Sequence, residues 1–326
     1  MRLSIVIPCY NEEATLADTV QQVRQVLGSL EAREKIDAGS QIWLVDDGSR
    51  DGTWPLIDAM AAADPRVIGL KLSRNRGHQH ALLAGLLTAE GDAVISLDAD
   101  LQDDLGVLEE MIDAWRAGNE IVYGVRRSRK ADSWFKRWSA RRYYSLLRAL
   151  GVDIVPDHAE FRLMGRKALD ALAEYPEANL FLRGLIPQLG FRTMRVHYDR
   201  GLRLAGETKY PLKRMVGLGI DGITSFSAVP LRLIAAGGAV VFVLSVLVSL
   251  WVLGVRFFTD HAVPGWASTT LPIYALGGIQ LLSLGVVGEY VAKIYLEVKR
   301  RPRYLIERTT RDRLTSARGD ISQPRQ

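Results

Sequence analysis

The chain has 326 residues, enough for one sizeable α/β domain and an appendage, because a single hydrophobic core stops growing near about 250–300 residues. Its net charge is +5, with Arg and Lys gathered in 126–148 and again in 299–303. That suits an anionic ligand or an anionic membrane leaflet, and with no aromatic or helical recognition elements beside the charge it does not read as a nucleic-acid binder.

The N-terminal apolar run is too short for a signal peptide and lacks a cleavage site, so the first domain is expected to face the cytoplasm. Leu3-Ser4-Ile5-Val6-Ile7-Pro8 and Gln41-Ile42-Trp43-Leu44-Val45 read as buried parallel strands, the first closed by proline and the second by Asp46-Asp47-Gly48. Cys9, the lone cysteine, excludes an intramolecular disulfide and, without an activating partner nearby, reads as a small buried residue. Between the two strands Leu16, Val20, Val23 and Leu27 share one face of a helix predicted over 12–30. The alternation continues with helix 54–63, strand 67–72, helix 80–89 and strand 93–97, the last ending in acids. It predicts an α/β fold with a Rossmann-like, mostly parallel sheet, helices on both faces, and a ligand in the crevice beyond the carboxyl ends of the strands.

The apolar residues concentrate after position 230. Leu233 to Val255 carries no charge and as a helix spans about 34 Å, enough to cross a bilayer. A second uncharged stretch runs from Leu271 to Gly288, and the connector 257–270 holds Pro264 and Trp266, as an interfacial turn does. A transmembrane helical hairpin is expected, with spans at 233–255 and 271–292. A hairpin buried in a soluble core is the alternative, disfavoured because a core helix rarely needs more than about 18 uncharged residues. Lys213, Arg214 and Arg232 precede the hairpin and Lys299, Arg300, Arg301 and Arg303 follow it, against Arg256 and His261 at the connector, which puts both termini in the cytoplasm. Residues 211–230 suit an amphipathic juxtamembrane segment, and 299–326 reads as a basic, flexible tail. Small residues such as Gly237, Gly238, Gly277 and Gly278 permit close packing between copies, so a homo-oligomer is expected.

Three polar loops carry the candidate chemistry. Asp98-Ala99-Asp100 places two carboxylates one residue apart at a strand end, where they can grip a hard divalent cation, the bland alternative being solvated loop charge. In Asp46 to Thr53 the glycines allow a tight turn close to a ligand; helix capping accounts for Asp51 and leaves Asp46 and Asp47 unexplained. Asn11-Glu12-Glu13 suits a helix start, with Asn as the cap. The histidines are too scattered for a zinc site.

Taken together, Ile5-Val6-Ile7-Pro8-Cys9-Tyr10-Asn11-Glu12-Glu13, Val45-Asp46-Asp47-Gly48-Ser49 and Asp98-Ala99-Asp100-Leu101-Gln102-Asp103 resemble the inverting family 2 glycosyltransferases of GT-A fold. Ser73-Arg74-Asn75-Arg76-Gly77-His78, Tyr123-Gly124-Val125-Arg126, Glu160-Phe161-Arg162-Leu163 and Ala205-Gly206-Glu207-Thr208-Lys209-Tyr210 extend the likeness over residues 3 to 300. It is greatest to the dolichol-phosphate mannose synthase group, and within it to bacterial polyprenyl-phosphate (bactoprenol) glycosyltransferases with a two-helix C-terminal anchor.

The resemblance implies a cytoplasmic catalytic domain over 1–210 and a membrane hairpin within 231–298 in the inner, or cytoplasmic, membrane. The implied reaction moves a hexose or N-acetylhexosamine, with UDP-glucose or UDP-GlcNAc as preferred nucleotide-sugar donors, to polyprenyl (undecaprenyl) phosphate. It implies that Pro8, Tyr10, Glu12 and Asp46 hold the nucleoside, with Asp47 close by. Asp98 would approach the ribose or diphosphate and join Asp100 and Gln102 around Mg²⁺ or Mn²⁺. Arg126 and Arg137 would take the acceptor phosphate, Lys209 would close over the donor diphosphate, and Glu160 joins Asp98, Asp100 and Arg126 as the catalytic group. Glu160 stands where relatives usually carry Asp, a longer arm with the same charge. An acceptor phosphate is already ionised near neutral pH, so positioning and electrostatics are expected rather than proton abstraction. Two rivals remain at this stage. A polysaccharide synthase would carry more spans and a Gln-x-x-Arg-Trp segment, which is absent, and a non-catalytic membrane scaffold would not need Asp98, Asp100 and Gln102 intact.

Overall fold

In the computed structural model, β1 (Leu3–Cys9) is buried at every position and β2 (Gln41–Asp46) at all but its first, as strands covered by helices on both faces must be. The residues described are 1–126, 158–177, 180–199, helical positions between 229 and 247, and 266–311. They fall into two units, one holding the sheet and the other the long C-terminal helix.

The sheet unit runs on through α1 (Leu16–Ala32), α2 (Thr53–Ala63), β3 (Val67–Leu72), α3 (His78–Thr88) and β4 (Ala93–Ser96). A short 3-10 turn (Leu105–Val107) leads into α4 (Leu108–Arg116), β5 (Ile121–Arg126), β6 (His158–Gly165), α5 (Arg166–Ala173), α6 (Leu182–Gln188) and β7 (Thr193–Tyr198), and β8 (Ile306–Thr309) comes last. Leu16, Val20, Val23 and Leu27 are buried on one face of α1, as their spacing predicts. α3 lies close against the sheet because Gly85 has no side chain there; a Cβ would collide with Val6 and Val45.

The eight strands are ordered β7-β5-β6-β4-β1-β2-β3-β8. β1–β2, β1–β4, β2–β3 and β5–β7 pair parallel, whereas β4–β6, β5–β6 and β3–β8 pair antiparallel, so the sheet is mixed, with four of its seven pairings parallel. The antiparallel pairings come from β6, which runs back between β4 and β5, and from β8. Every other strand points the same way, so the carboxyl ends of β1, β2, β3, β4, β5 and β7 line one edge, and β6 begins at that edge, with Glu160 its third residue.

β8 corrects the expectation of a free tail from 299 onward. Ile306–Thr309 pairs with β3, the buried Thr310 accepts the Gly69 N–H through Oγ1 at 2.9 Å, and Lys71 pairs with Glu307 at 3.0 Å. Arg311 forms a two-pronged ion pair with Glu90. β3 is buried at every position but Lys71, its edge away from β2 needs a partner, and the segment after the helix supplies one.

In the second unit, helix Trp266–Val298 is 33 residues, about 50 Å long. Its segment Ile279–Val298, of mean hydropathy 1.3, is long and apolar enough to cross a membrane, and it is the one such segment among the described residues. Ile279, Leu281, Leu284, Val291 and Ile294 on it are exposed. A shorter apolar helix, Val229–Gly238, precedes it. Most of the first expected span, 233–255, and of the segment 211–230 lies outside the described residues, so only one arm of the expected hairpin is seen.

Candidate active site

Cys9 lies opposite Asp46 in the β1–β2 register, so the loops that follow the two strands leave the sheet side by side. Asn11, in the left-handed region at φ 55°, donates its N–H to Ser49 Oγ at 3.0 Å and accepts the Arg50 N–H through Oδ1 at 2.9 Å. The Glu12 N–H donates to Thr53 Oγ1 at 2.9 Å, Glu12 Oε2 accepts from the Thr15 hydroxyl, and Glu13 accepts the Gly52 N–H at 2.9 Å. These bonds fasten the first loop to the second, which is why α1 starts at Leu16 and Asn11 caps no helix. Pro8 is buried behind the loop, and Tyr10 is 42% exposed at its mouth. Burial pushes the Cys9 thiol well above its usual range, as befits a structural residue.

Asp46 and Asp47 are both buried but wired differently. Asp46 Oδ1 accepts the Ser49 N–H at 3.0 Å, while Oδ2 has no hydrogen-bond partner among the described residues. Asp47 spends both oxygens on the β3–α3 loop, accepting from Arg76 N at 2.7 Å and Gly77 N at 2.9 Å. Burial raises both carboxyls above the usual range, against the hydrogen bonds they accept. Gly48, at φ 69°, fits because a Cβ there would stand 2.7 Å from the Arg74 carbonyl carbon.

The third loop follows β4. Leu101 sits at φ 51°, a strained position for a residue with a branched side chain, and it folds Gln102 back on Asp100. Gln102 donates its side-chain Nε2 to Asp100 Oδ2 at 2.7 Å and its N–H to Oδ1 at 3.3 Å. His78 Nε2, at the start of α3, stands 3.5 Å from Asp98 Oδ1. Burial raises the Asp98 carboxyl, His78 opposes the shift, and Asp103 and Asp100 add to it.

Behind this loop Glu160 is buried among Arg162, Arg183 and Gln79. Its Oε1 accepts from Gln79 Nε2 at 2.9 Å and from Arg183 Nε at 2.7 Å, and its Oε2 accepts from Arg162. Gln79 also accepts the Leu182 N–H, tying α6 to α3. Arg162 is wholly buried, and burial with Arg183 nearby lowers its pKa to about 10. Arg126, the last residue of β5, donates to the Tyr198 hydroxyl and to Asp103. Arg137 and Lys209 lie outside the described residues.

A family model described as glycosyl transferase family 2 matches residues 4–173. An uncharacterized glycosyltransferase of Bacillus subtilis, YkoT, is 48% identical over 307 residues, 94% of this chain and 91% of the relative. The chain belongs to glycosyl transferase family 2. A bactoprenol glucosyl transferase of Shigella phage SfX is 38% identical over 308 residues, 94% of this family 2 chain and 99% of the relative. Among solved structures, mannosyltransferase PcManGT of Pyrobaculum calidifontis in complex with GDP-Man and Mn²⁺ overlaps it with a TM-score of 0.46 at 18% identity, covering 90% and 84% of the two chains.

Within this family 2 glycosyltransferase, Asp98, Asp100 and the Gln102 amide offer only hard oxygen donors, held by the strained Leu101 turn, and that set fits Mg²⁺ or Mn²⁺. No group of three or more His, Cys, Asp or Glu that could hold a metal occurs among the described residues, and the two carboxylates and the amide leave coordination positions that a ligand's oxygens or water could fill. Sequence reasoning missed Tyr198, Gln79, Arg162 and Arg183. Tyr198 lies in a strand that the apolar pattern does not reveal, since Thr193, Met194 and Arg195 on it are exposed.

Proposed function

We propose that this chain transfers a sugar, glucose in the first instance, from a UDP-sugar to polyprenyl phosphate at the cytoplasmic face of a membrane, with inversion at the anomeric carbon. The observation that carries the reading is likeness along the whole chain. Similarity to proteins named bactoprenol glucosyl transferase covers 94% of this chain, well past residue 173 where the family model stops and through the apolar helix. The outward-facing Leu281, Leu284 and Ile294 of that helix support a membrane span over a buried core helix, and the second arm of the hairpin rests on the uncharged sequence 233–255.

In the proposed reaction an oxygen of the acceptor phosphate attacks the anomeric carbon in line. The bond from that carbon to the donor diphosphate breaks, and its electron pair leaves on the nucleoside diphosphate. The acceptor is already ionised at neutral pH, so no residue need take its proton. Glu160, enclosed by two guanidinium groups and an amide, serves as a brace between β6, α3 and α6. Asp46 Oδ2, without a hydrogen-bond partner among the described residues, would be the acceptor for a nucleobase N–H, with Pro8, Tyr10 and Glu12 completing that subsite, and Asp47 holds the neighbouring loop in place. Asp98, Asp100 and Gln102 would hold the cation. A Mg²⁺ or Mn²⁺ held by them would supply neutralisation of the charge that builds on the departing diphosphate. Arg126, with Arg137, would receive the acceptor phosphate, and Lys209 would cover the donor diphosphate.

The test offers radiolabelled UDP-glucose, UDP-GlcNAc and GDP-mannose to the purified full chain with undecaprenyl phosphate in detergent. Label from UDP-glucose that extracts into organic solvent and is released by mild acid is the expected result. Label that appears only in water-soluble polymer, or only when a different acceptor is supplied, would overturn the reading.

A further inference from the structure

Arg126 and Tyr198 are register partners at the carboxyl ends of the parallel neighbours β5 and β7, and Asp103 closes the acidic loop that begins at Asp98. The three side chains form a closed triangle. The Tyr198 hydroxyl donates to Asp103 Oδ1, Arg126 Nε donates to the Tyr198 oxygen at 3.2 Å, and a terminal Arg126 nitrogen donates to Asp103 Oδ1 at 3.3 Å. Asp103 and Tyr198 are 3% and 1% exposed, and Phe161 meets the Tyr198 ring edge-on at 5.4 Å, which keeps the phenol from turning away. The Arg126 side chain remains 30% exposed.

A long arginine side chain at a loop mouth ordinarily samples many rotamers. Here Nε and one terminal nitrogen are fixed from beneath, so the plane of the guanidinium is set before any ligand arrives, and among the described residues no hydrogen bond holds its other terminal nitrogen. The arrangement is expensive for a fold that does not use it. Asp103 Oδ2 is buried with no hydrogen-bond partner among the described residues, although an unpaired buried carboxylate oxygen is strongly disfavoured. Asp103 also joins Arg126 to the loop of Asp98, Asp100 and Gln102, so the arginine and the candidate cation ligands keep a fixed spacing.

We propose that Asp103 and Tyr198 are positioning residues that hold the Arg126 guanidinium beside the acidic loop, so that a phosphate monoester acceptor is delivered next to the donor diphosphate. The proposal rests on the polyprenyl-phosphate reading given above and adds the two residues that make Arg126 selective for that place. Neither residue touches the reacting atoms.

Steady-state kinetics of the full chain in detergent, with UDP-glucose and undecaprenyl phosphate varied in turn, test it. Tyr198→Phe removes only the hydroxyl and should raise KM for the lipid about 10-fold, with kcat and donor KM within about twofold, while the thermal midpoint falls by a few degrees because Asp103 Oδ1 loses its donor. Asp103→Asn, of the same shape, should repeat the effect. Arg126→Ala should raise lipid KM further, and adding Tyr198→Phe to it should change little, because the two act through one contact. Lipid KM unchanged in Tyr198→Phe and Asp103→Asn while Arg126→Ala raises it would overturn the positioning role and leave the acceptor reading standing. So would additive effects in the double variant, or a loss spread equally over both substrates. No transfer to undecaprenyl phosphate by the unsubstituted chain would instead remove the acceptor reading, and this proposal with it.

Discussion

Asp46 keeps one buried carboxylate oxygen without a partner among the described residues, whereas Asp47 has both engaged, so under the proposed function one motif divides between binding and scaffolding. Because burial raises the Asp46 carboxyl in the folded state above its unfolded value of about 3.9, ionised Asp46 destabilises the fold at neutral pH. That penalty fades as pH falls through the folded value and is gone below the unfolded one, where both states are protonated. Asp46→Asn should therefore raise the thermal midpoint by about 2–4 °C near pH 7.5, with a smaller gain near pH 5, while abolishing UDP binding measured by calorimetry. A gain that grows toward acid pH would contradict the assignment. Gly48→Ala should act in the opposite direction, costing about 1–3 kcal/mol, since its Cβ would meet the Arg74–Asn75 backbone at a left-handed φ. Denaturant unfolding measures it, and a neutral result would mean the two loops are less tightly interlocked than the distances indicate.

At the scale of elements, the apolar runs of β1, β2, β3 and β4 and the helical face of α1 were legible in the sequence because each follows one periodicity and is buried as that periodicity requires. β6 was not, since His158–Gly165 puts Glu160 and Arg162 into the buried sheet, where each charge is met by the other and no pattern of apolar residues announces it. β8 was hidden for a different reason. Ile306-Glu307-Arg308-Thr309 looks like a polar tail, and only the open edge of β3 makes a strand of it. The acidic motifs were legible as motifs, but the spatial neighbours that wire them, Tyr198, Gln79 and Arg183, come from elements distant in sequence. Ending the chain after Tyr304 removes β8 with its Gly69–Thr310, Lys71–Glu307 and Glu90–Arg311 contacts. This should lower the thermal midpoint by about 5 °C or more and promote aggregation along the bared β3 edge. Light scattering during a thermal ramp reports both, and an unaltered midpoint would show that β8 adds nothing to the sheet.

For the whole molecule, the proposed function asks a sheet with its polar loops gathered at one edge and a helix long and apolar enough to cross a membrane to serve one reaction, on a substrate half in the bilayer. Alkaline carbonate washing of cell membranes should leave the chain in the pellet and detergent should release it, whereas recovery in the carbonate supernatant would argue against a spanning helix. The central claim is that chemistry occurs at the carboxyl edge, around the Asp98–Gln102 loop. It is tested most directly by transfer from UDP-glucose to undecaprenyl phosphate with Asp100→Ala beside the unsubstituted chain, both shown to be folded by their thermal transitions. The account predicts that Asp100→Ala loses about 100-fold or more of its lipid-linked product, the scale at which removing a residue that stabilises transition-state charge slows an enzyme. Transfer by Asp100→Ala at the rate of the unsubstituted chain would contradict it.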